Sequence, residues 1–130
     1  YKDFASKVMV ELNKLHRLVK EAKDNGQTVY ILAASTRGAT IWQSADIDYR
    51  LIYAAVERKP AKVGANFTAI GVPIISEEEA RANKPDILII GPWFFDEEII
   101  QRESEYLRNG GKLIKPLPKV EIIDSSYIKL

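Results

Sequence analysis

Apolar residues along this chain follow two rhythms, and the changes between them outline its architecture. From residue 3 to residue 24, Phe4, Val8, Leu12, Leu15, Val19 and Ala22 recur at steps of three and four, with Leu18 beside them. Lys7, Glu11, Lys14, Lys20 and Glu21 fill the remaining positions, which predicts an amphipathic helix that Asn25 and Gly26 end. The rhythm then changes to short apolar runs of the kind that form strands covered on both faces. They are Val29–Leu32, Leu51–Val56, Val72–Ile75, Asp86–Ile90, Lys112–Lys115 and Val120–Ile123. Ser35 and Thr36 cap a short helix after the first run, and Ser76 with Glu79 forms a capping box after the third. A further helix opens at Asp96 and carries Ile99, Ile100, Tyr106 and Leu107 to Asn109. Residues 58–71 hold no sustained period and read as a loop, while Pro73 suggests an edge position for the strand that follows.

Alternation of strands and helices predicts an α/β fold, Rossmann-like and doubly wound, with a mostly parallel sheet. The expected strand order is 3-2-1-4-5, with a possible antiparallel edge strand and an extra N-terminal helix. On this reading residues 1–26 are a connector helix and residues 27–130 a single Rossmann-like domain, expected to be a fragment of a larger chain.

Composition narrows the function classes. A formal net charge of +1 gives no pull toward nucleic acid or an anionic membrane, so neither is expected as a partner. Zero cysteines exclude disulfides and thiolate metal sites and fit a cytoplasmic protein. No apolar run approaches the roughly 18 residues of a membrane-spanning helix.

Candidate chemistry gathers at the carboxyl ends of the first and fourth strands, the switch point of such a sheet. There Ser35, Thr36, Arg37 and Gly38 combine hydroxyls, a guanidinium and a helix start, a combination suited to an anion. Glu57 follows about 20 residues on, where a dinucleotide fold places a carboxylate for ribose hydroxyls. Trp93, Phe94 and Phe95 crowd the fourth strand's end. The plain alternative is an ordinary cap with Arg37 and Glu57 solvated, since one glycine, Gly38, stands where the dinucleotide fingerprint has three. No histidine, base-paired serine or metal-ligand set is legible in this crevice, so no catalytic residue and no metal are expected. His16, the only histidine, lies beside the helix stripe and reads as a packing residue.

Seven ordered segments then match a known pattern: Ala34-Ser35-Thr36-Arg37-Gly38, Val56-Glu57-Arg58, Lys62-Val63-Gly64, Val72-Pro73-Ile74-Ile75-Ser76, Pro92-Trp93-Phe94-Phe95, Gly110-Gly111-Lys112 and Pro116-Leu117-Pro118. Together, across Thr28 to Ile123, they resemble the C-terminal domain of bacterial sugar C-methyltransferases. That resemblance implies an accessory domain of an enzyme that uses S-adenosylmethionine to methylate a carbon of a nucleotide-linked sugar. The accessory domain helps to enclose the substrate and binds no S-adenosylmethionine itself. It also implies a nucleotide-sugar and an upstream methyltransferase domain as partners, with a homodimer left open. Ser35, Thr36 and Arg37 would lie near the phosphates, Trp93 and Phe95 would line the crevice, and Glu57 would meet sugar or ribose hydroxyls. The chain departs from the family pattern at Ala33, Ala39, Thr68-Ala69 and Phe94. A different class remains as the alternative: a stand-alone regulatory or structural module with a pocket for NAD, coenzyme A or a nucleotide.

Overall fold

A computed structural model describes residues 2–32, 39–57, 64, 66–67, 70–90, 96–116 and 120–127. Its helices are α1 (Lys2–Asp24), α2 (Ala39–Ser44), α3 (Glu77–Asn83), α4 (Asp96–Arg102) and α5 (Ser104–Arg108). Its strands are β1 (Val29–Leu32), β2 (Ala54–Glu57), β3 (Asn66–Phe67), β4 (Val72–Ser76), β5 (Ile87–Ile90), β6 (Lys112–Lys115) and β7 (Glu121–Ile123), followed by a 3-10 turn at Ser125–Tyr127. These strands form one sheet in the order β3-β4-β2-β1-β5-β6-β7. The contacts among β4, β2, β1, β5 and β6 are parallel, and β7 is antiparallel to β6. The expected Rossmann-like arrangement with its antiparallel final strand and extra N-terminal helix is therefore present.

Strand composition follows from burial on both faces. Along β1, Val29 and Ile31 enter one apolar cluster while Tyr30 and Leu32 enter the other, so neither face tolerates an exposed polar side chain. On the first face lie Leu12, Leu15, Val19 and Ala22 of α1, together with Trp42 of α2 and Ala45 and Ile47 just beyond it. Because α2 has only six residues, α1 supplies much of that cover. His16 ties the two together: its Nδ1–H donates to the Ala45 carbonyl at 2.9 Å, a packing role as expected. The second face is covered by Ala80 of α3, Ile99 and Ile100 of α4 and Leu107 of α5.

Three details differ from the sequence reading. The second strand begins at Ala54, because the chain is still turning at Leu51 and Ile52, whose N–H groups donate to the Asp48 carbonyl at 3.0 and 2.9 Å. The region read as a loop contains β3, which pairs antiparallel with β4 through Asn66↔Pro73 and Phe67↔Val72. Pro73 therefore sits one strand inside the edge, where a two-residue partner asks little of its missing N–H. Finally, the helix expected from Asp96 onward breaks at Glu103 into α4 and α5.

Polar contacts pin the amino ends of the two central strands. Thr28 donates its N–H to Asp86 Oδ2 at 2.8 Å, and the Asp86 N–H returns to the Thr28 carbonyl at 3.1 Å. At the far edge Glu11, buried on α1, accepts the Val120 N–H at 2.9 Å just ahead of β7. Tyr106 donates its hydroxyl to the Pro85 carbonyl at 2.9 Å, and its ring occupies the space that a side chain at residue 111 would need, which explains glycine there.

Two expected outcomes test this packing. Leu15→Ala should cost about 2–5 kcal/mol in denaturant titration, the cost of a core cavity, if α1 is a structural layer of the sheet. Burial pushes the Tyr106 phenol well above its ordinary value of 10.0, with Asp86 and Glu103 adding to the shift. A raised folded-state pKa means that stability is fully present below about pH 10 and lost as pH rises beyond it, where only the unfolded chain ionises freely. Tyr106→Phe should therefore flatten the alkaline limb of a stability–pH curve, leaving the smaller contribution of Tyr30, whose phenol is also raised by burial.

Candidate ligand crevice

The crevice is framed by strand ends. Leu32 and Ile90 are register partners and the last residues of β1 and β5, so these two strands end side by side. Next to β1, the last residue of β2 is Glu57, in register with Ser76 of β4. Parallel sheets of this order bind ligands at this end because the chain on either side of the switch point turns away to opposite faces.

Of the sequence-derived candidates, Glu57 lies within the described structure. It is 9% exposed and engaged in an interaction within the chain, so the alternative of a fully solvated carboxylate does not hold for it. Burial of a carboxylate at a strand end is costly unless partners compensate, which separates Glu57 from an ordinary surface glutamate. Ser35, Thr36, Arg37, Gly38, Trp93 and Phe95 lie outside the described residues. Leu32 and Ile90 nevertheless fix where the segments carrying them begin.

Ser76 forms the rim between β4 and α3. Its backbone is extended at φ −76° and ψ 160°, and its Oγ accepts the Glu79 N–H at 3.1 Å. Glu77, Glu78 and Glu79 occupy the first turn of the helix, where a carboxylate is favoured by the free N–H groups. These features agree with the sequence reading of this segment as a capped helix start.

Sequence reasoning missed a buried charge network beneath the rim. Glu103 is 3% exposed and accepts from Arg81 Nη2 at 3.1 Å, with Arg102 Nε at 3.9 Å. Both arginines also stand 3.9 Å from Glu77 Oε1. A signal was available: Ile99, Glu103 and Leu107 are spaced by four, which puts a carboxylate on the apolar stripe of the expected helix. A cavity of about 20 Å³, room for one water, is bordered by Leu32, Val56, Glu77, Arg81, Glu103 and Tyr106. It joins the network to the ends of β1 and β2. A wider groove at the opposite end of the sheet, bordered by Lys84, Asp86, Glu105 and Asn109, belongs to the amino ends of the strands.

Among the described residues no group of three or more His, Asp or Glu side chains is placed to hold a metal ion. No described helix is long and apolar enough to cross a membrane.

Comparison with known proteins bears on the same region. A family model described as the C-methyltransferase C-terminal domain matches residues 1–118. The C-methyltransferase NovU of Streptomyces niveus is 28% identical over 125 residues, which cover 96% of this chain and 30% of that protein. The chain thus spans about 30% of the length of that curated relative.

Truncating the network has an expected outcome. Glu103→Ala takes from Arg81 its 3.1 Å partner and should cost about 1.5–3 kcal/mol in urea titration, the scale of a hydrogen bond to a charged group, because Arg81 is half-exposed and keeps Glu77 at 3.9 Å.

Proposed function

Because this chain belongs to the C-methyltransferase C-terminal domain family, we propose that it is the accessory domain of an S-adenosylmethionine-dependent C-methyltransferase acting on a nucleotide-linked sugar. In this reading the domain holds and encloses the sugar nucleotide, and residues 1–26 connect it to the part of the enzyme that transfers the methyl group. The observation that supports the reading is a buried carboxylate, Glu57, at the end of β2 beside the switch point.

Each candidate has a role that suits its chemistry. Arg37 pairs with phosphate oxygens, with the hydroxyls of Ser35 and Thr36 beside it and Gly38 leaving the backbone open. Glu57 accepts from sugar or ribose hydroxyls. Trp93 and Phe95 present aromatic faces to a ring and keep water out. S-adenosylmethionine supplies the methyl group in the parent enzyme. The segment after β1 does not suit a cofactor cradle in this domain, since it offers Ala33, Ala34 and a lone Gly38 in place of a glycine-rich turn. The contribution of this chain is then positioning and exclusion of water, which lower a barrier without a reacting side chain.

Calorimetric titration of the chain with TDP-sugars, NAD and coenzyme A tests the reading. Binding of a TDP-sugar is expected; binding of NAD or coenzyme A alone would favour the stand-alone nucleotide module instead. Arg37→Ala should weaken phosphate-ligand binding by about 1.5–3 kcal/mol, the scale of a hydrogen bond to a charged group. Equal affinity in wild type and variant counts against the anion site. The chain by itself should show no methyl transfer with S-adenosylmethionine and sugar nucleotides, and measurable turnover would overturn the division of labour.

A further inference from the structure

The network around Glu103 is poorly explained as a source of stability. Its carboxylate is 3% exposed at the break between α4 and α5, and it meets Arg81 at 3.1 Å and Arg102 at 3.9 Å. Desolvating such charges offsets most of their attraction, and apolar residues of similar size commonly do as well or better. The surroundings would accept them: Leu32, Val56, Ala80 and Leu88 line the adjoining cavity. An ion pair does supply direction, because it is satisfied in one alignment, whereas an apolar contact tolerates sliding.

The direction it imposes runs toward the crevice. Arg81 and Arg102 both reach Glu77 at 3.9 Å. Glu77 is the first residue of α3 and directly follows Ser76, the register partner of Glu57. Charges thus alternate from the α4–α5 break to the residue beside the rim. Both linked helices follow strands that end at the crevice, α3 after β4 and α4 after β5. We propose that Glu103, acting through Arg81 and Glu77, is a positioning residue that sets where the first turn of α3 stands relative to Glu57. It thereby shapes the sugar side of the crevice, a role that rests on the nucleotide-sugar reading above.

The experiment compares wild type, Glu103→Gln, and a paired apolar variant combining Arg81→Met with Glu103→Leu. Three quantities are measured on each: the urea midpoint, backbone amide exchange at Glu57 and residues 77–80, and the Kd for TDP-glucose. Glu103→Gln should lower the midpoint and the paired variant should recover it. In both, exchange at those amides should stay faster than in wild type and the Kd should be weaker by about three- to tenfold, the range of coupling through packed elements. Exchange and affinity that recover together with the midpoint, or that never depart from wild type, overturn the proposal. So does faster exchange with unchanged affinity. A wild-type chain that ignores TDP-glucose overturns the nucleotide-sugar reading instead, and the exchange rates alone then decide whether Glu103 positions α3.

Discussion

A parallel sheet must hide both of its faces, and that requirement governs how this chain is built. Each central strand sends alternate side chains into two separate apolar clusters, so removing either layer of helices would leave a face of isoleucine, valine and leucine in water. α3, α4 and α5 cover one face in the usual sequential manner. Among the described residues the other is covered by Trp42 of the short α2, by Ala45, Ile47, Ile52 and Ile70, and by α1, whose stripe from Leu12 to Ala22 packs along it. The helix that precedes the first strand is consequently part of the layer structure, whatever else it connects to.

With the hydrophobic demands met in this way, the charged residues that remain inside stand out. Glu11, Glu57 and Glu103 are the buried carboxylates among the described residues, and they serve different ends. Glu11 joins α1 to the approach to β7 through the Val120 N–H and takes Lys14 Nζ at 3.0 Å. Glu103 joins the α4–α5 break to α3. Glu57 stands at a strand end next to the switch point, the one of the three placed where a ligand can reach a sheet of this order. Among the described residues, the switch-point end of the sheet is therefore marked by its location and by the Glu57 carboxylate.

Much of this was legible in the sequence, for reasons that particular residues make plain. α1 showed itself because one buried face on a helix forces a three-and-four spacing. β1 and β5 showed themselves because burial on both faces forbids polar residues over four positions. The place of Glu57 at a strand end was legible from its distance to the first strand. β3 was not, because two residues carry no period. The break at Glu103 was hidden by a stripe, Ile99 and Leu107, that continues across it. Nor was the ion pair between Arg81 and Glu103 legible, since partners 22 residues apart meet only after the crossovers are in place. The anion-site candidates Ser35 to Gly38, with Trp93 and Phe95, remain readings from residue type and topology.

The β7 margin of the sheet is curtailed. β7 is three residues long, is preceded by a Val120 N–H already taken by Glu11, and is followed by Asp124, whose carboxylate accepts the Ser126 N–H at 2.9 Å and draws the chain into a turn. An incoming extended segment thus finds little ladder to continue on that side. Strand addition along β7 is disfavoured, and so is the edge-to-edge stacking by which sheet proteins aggregate.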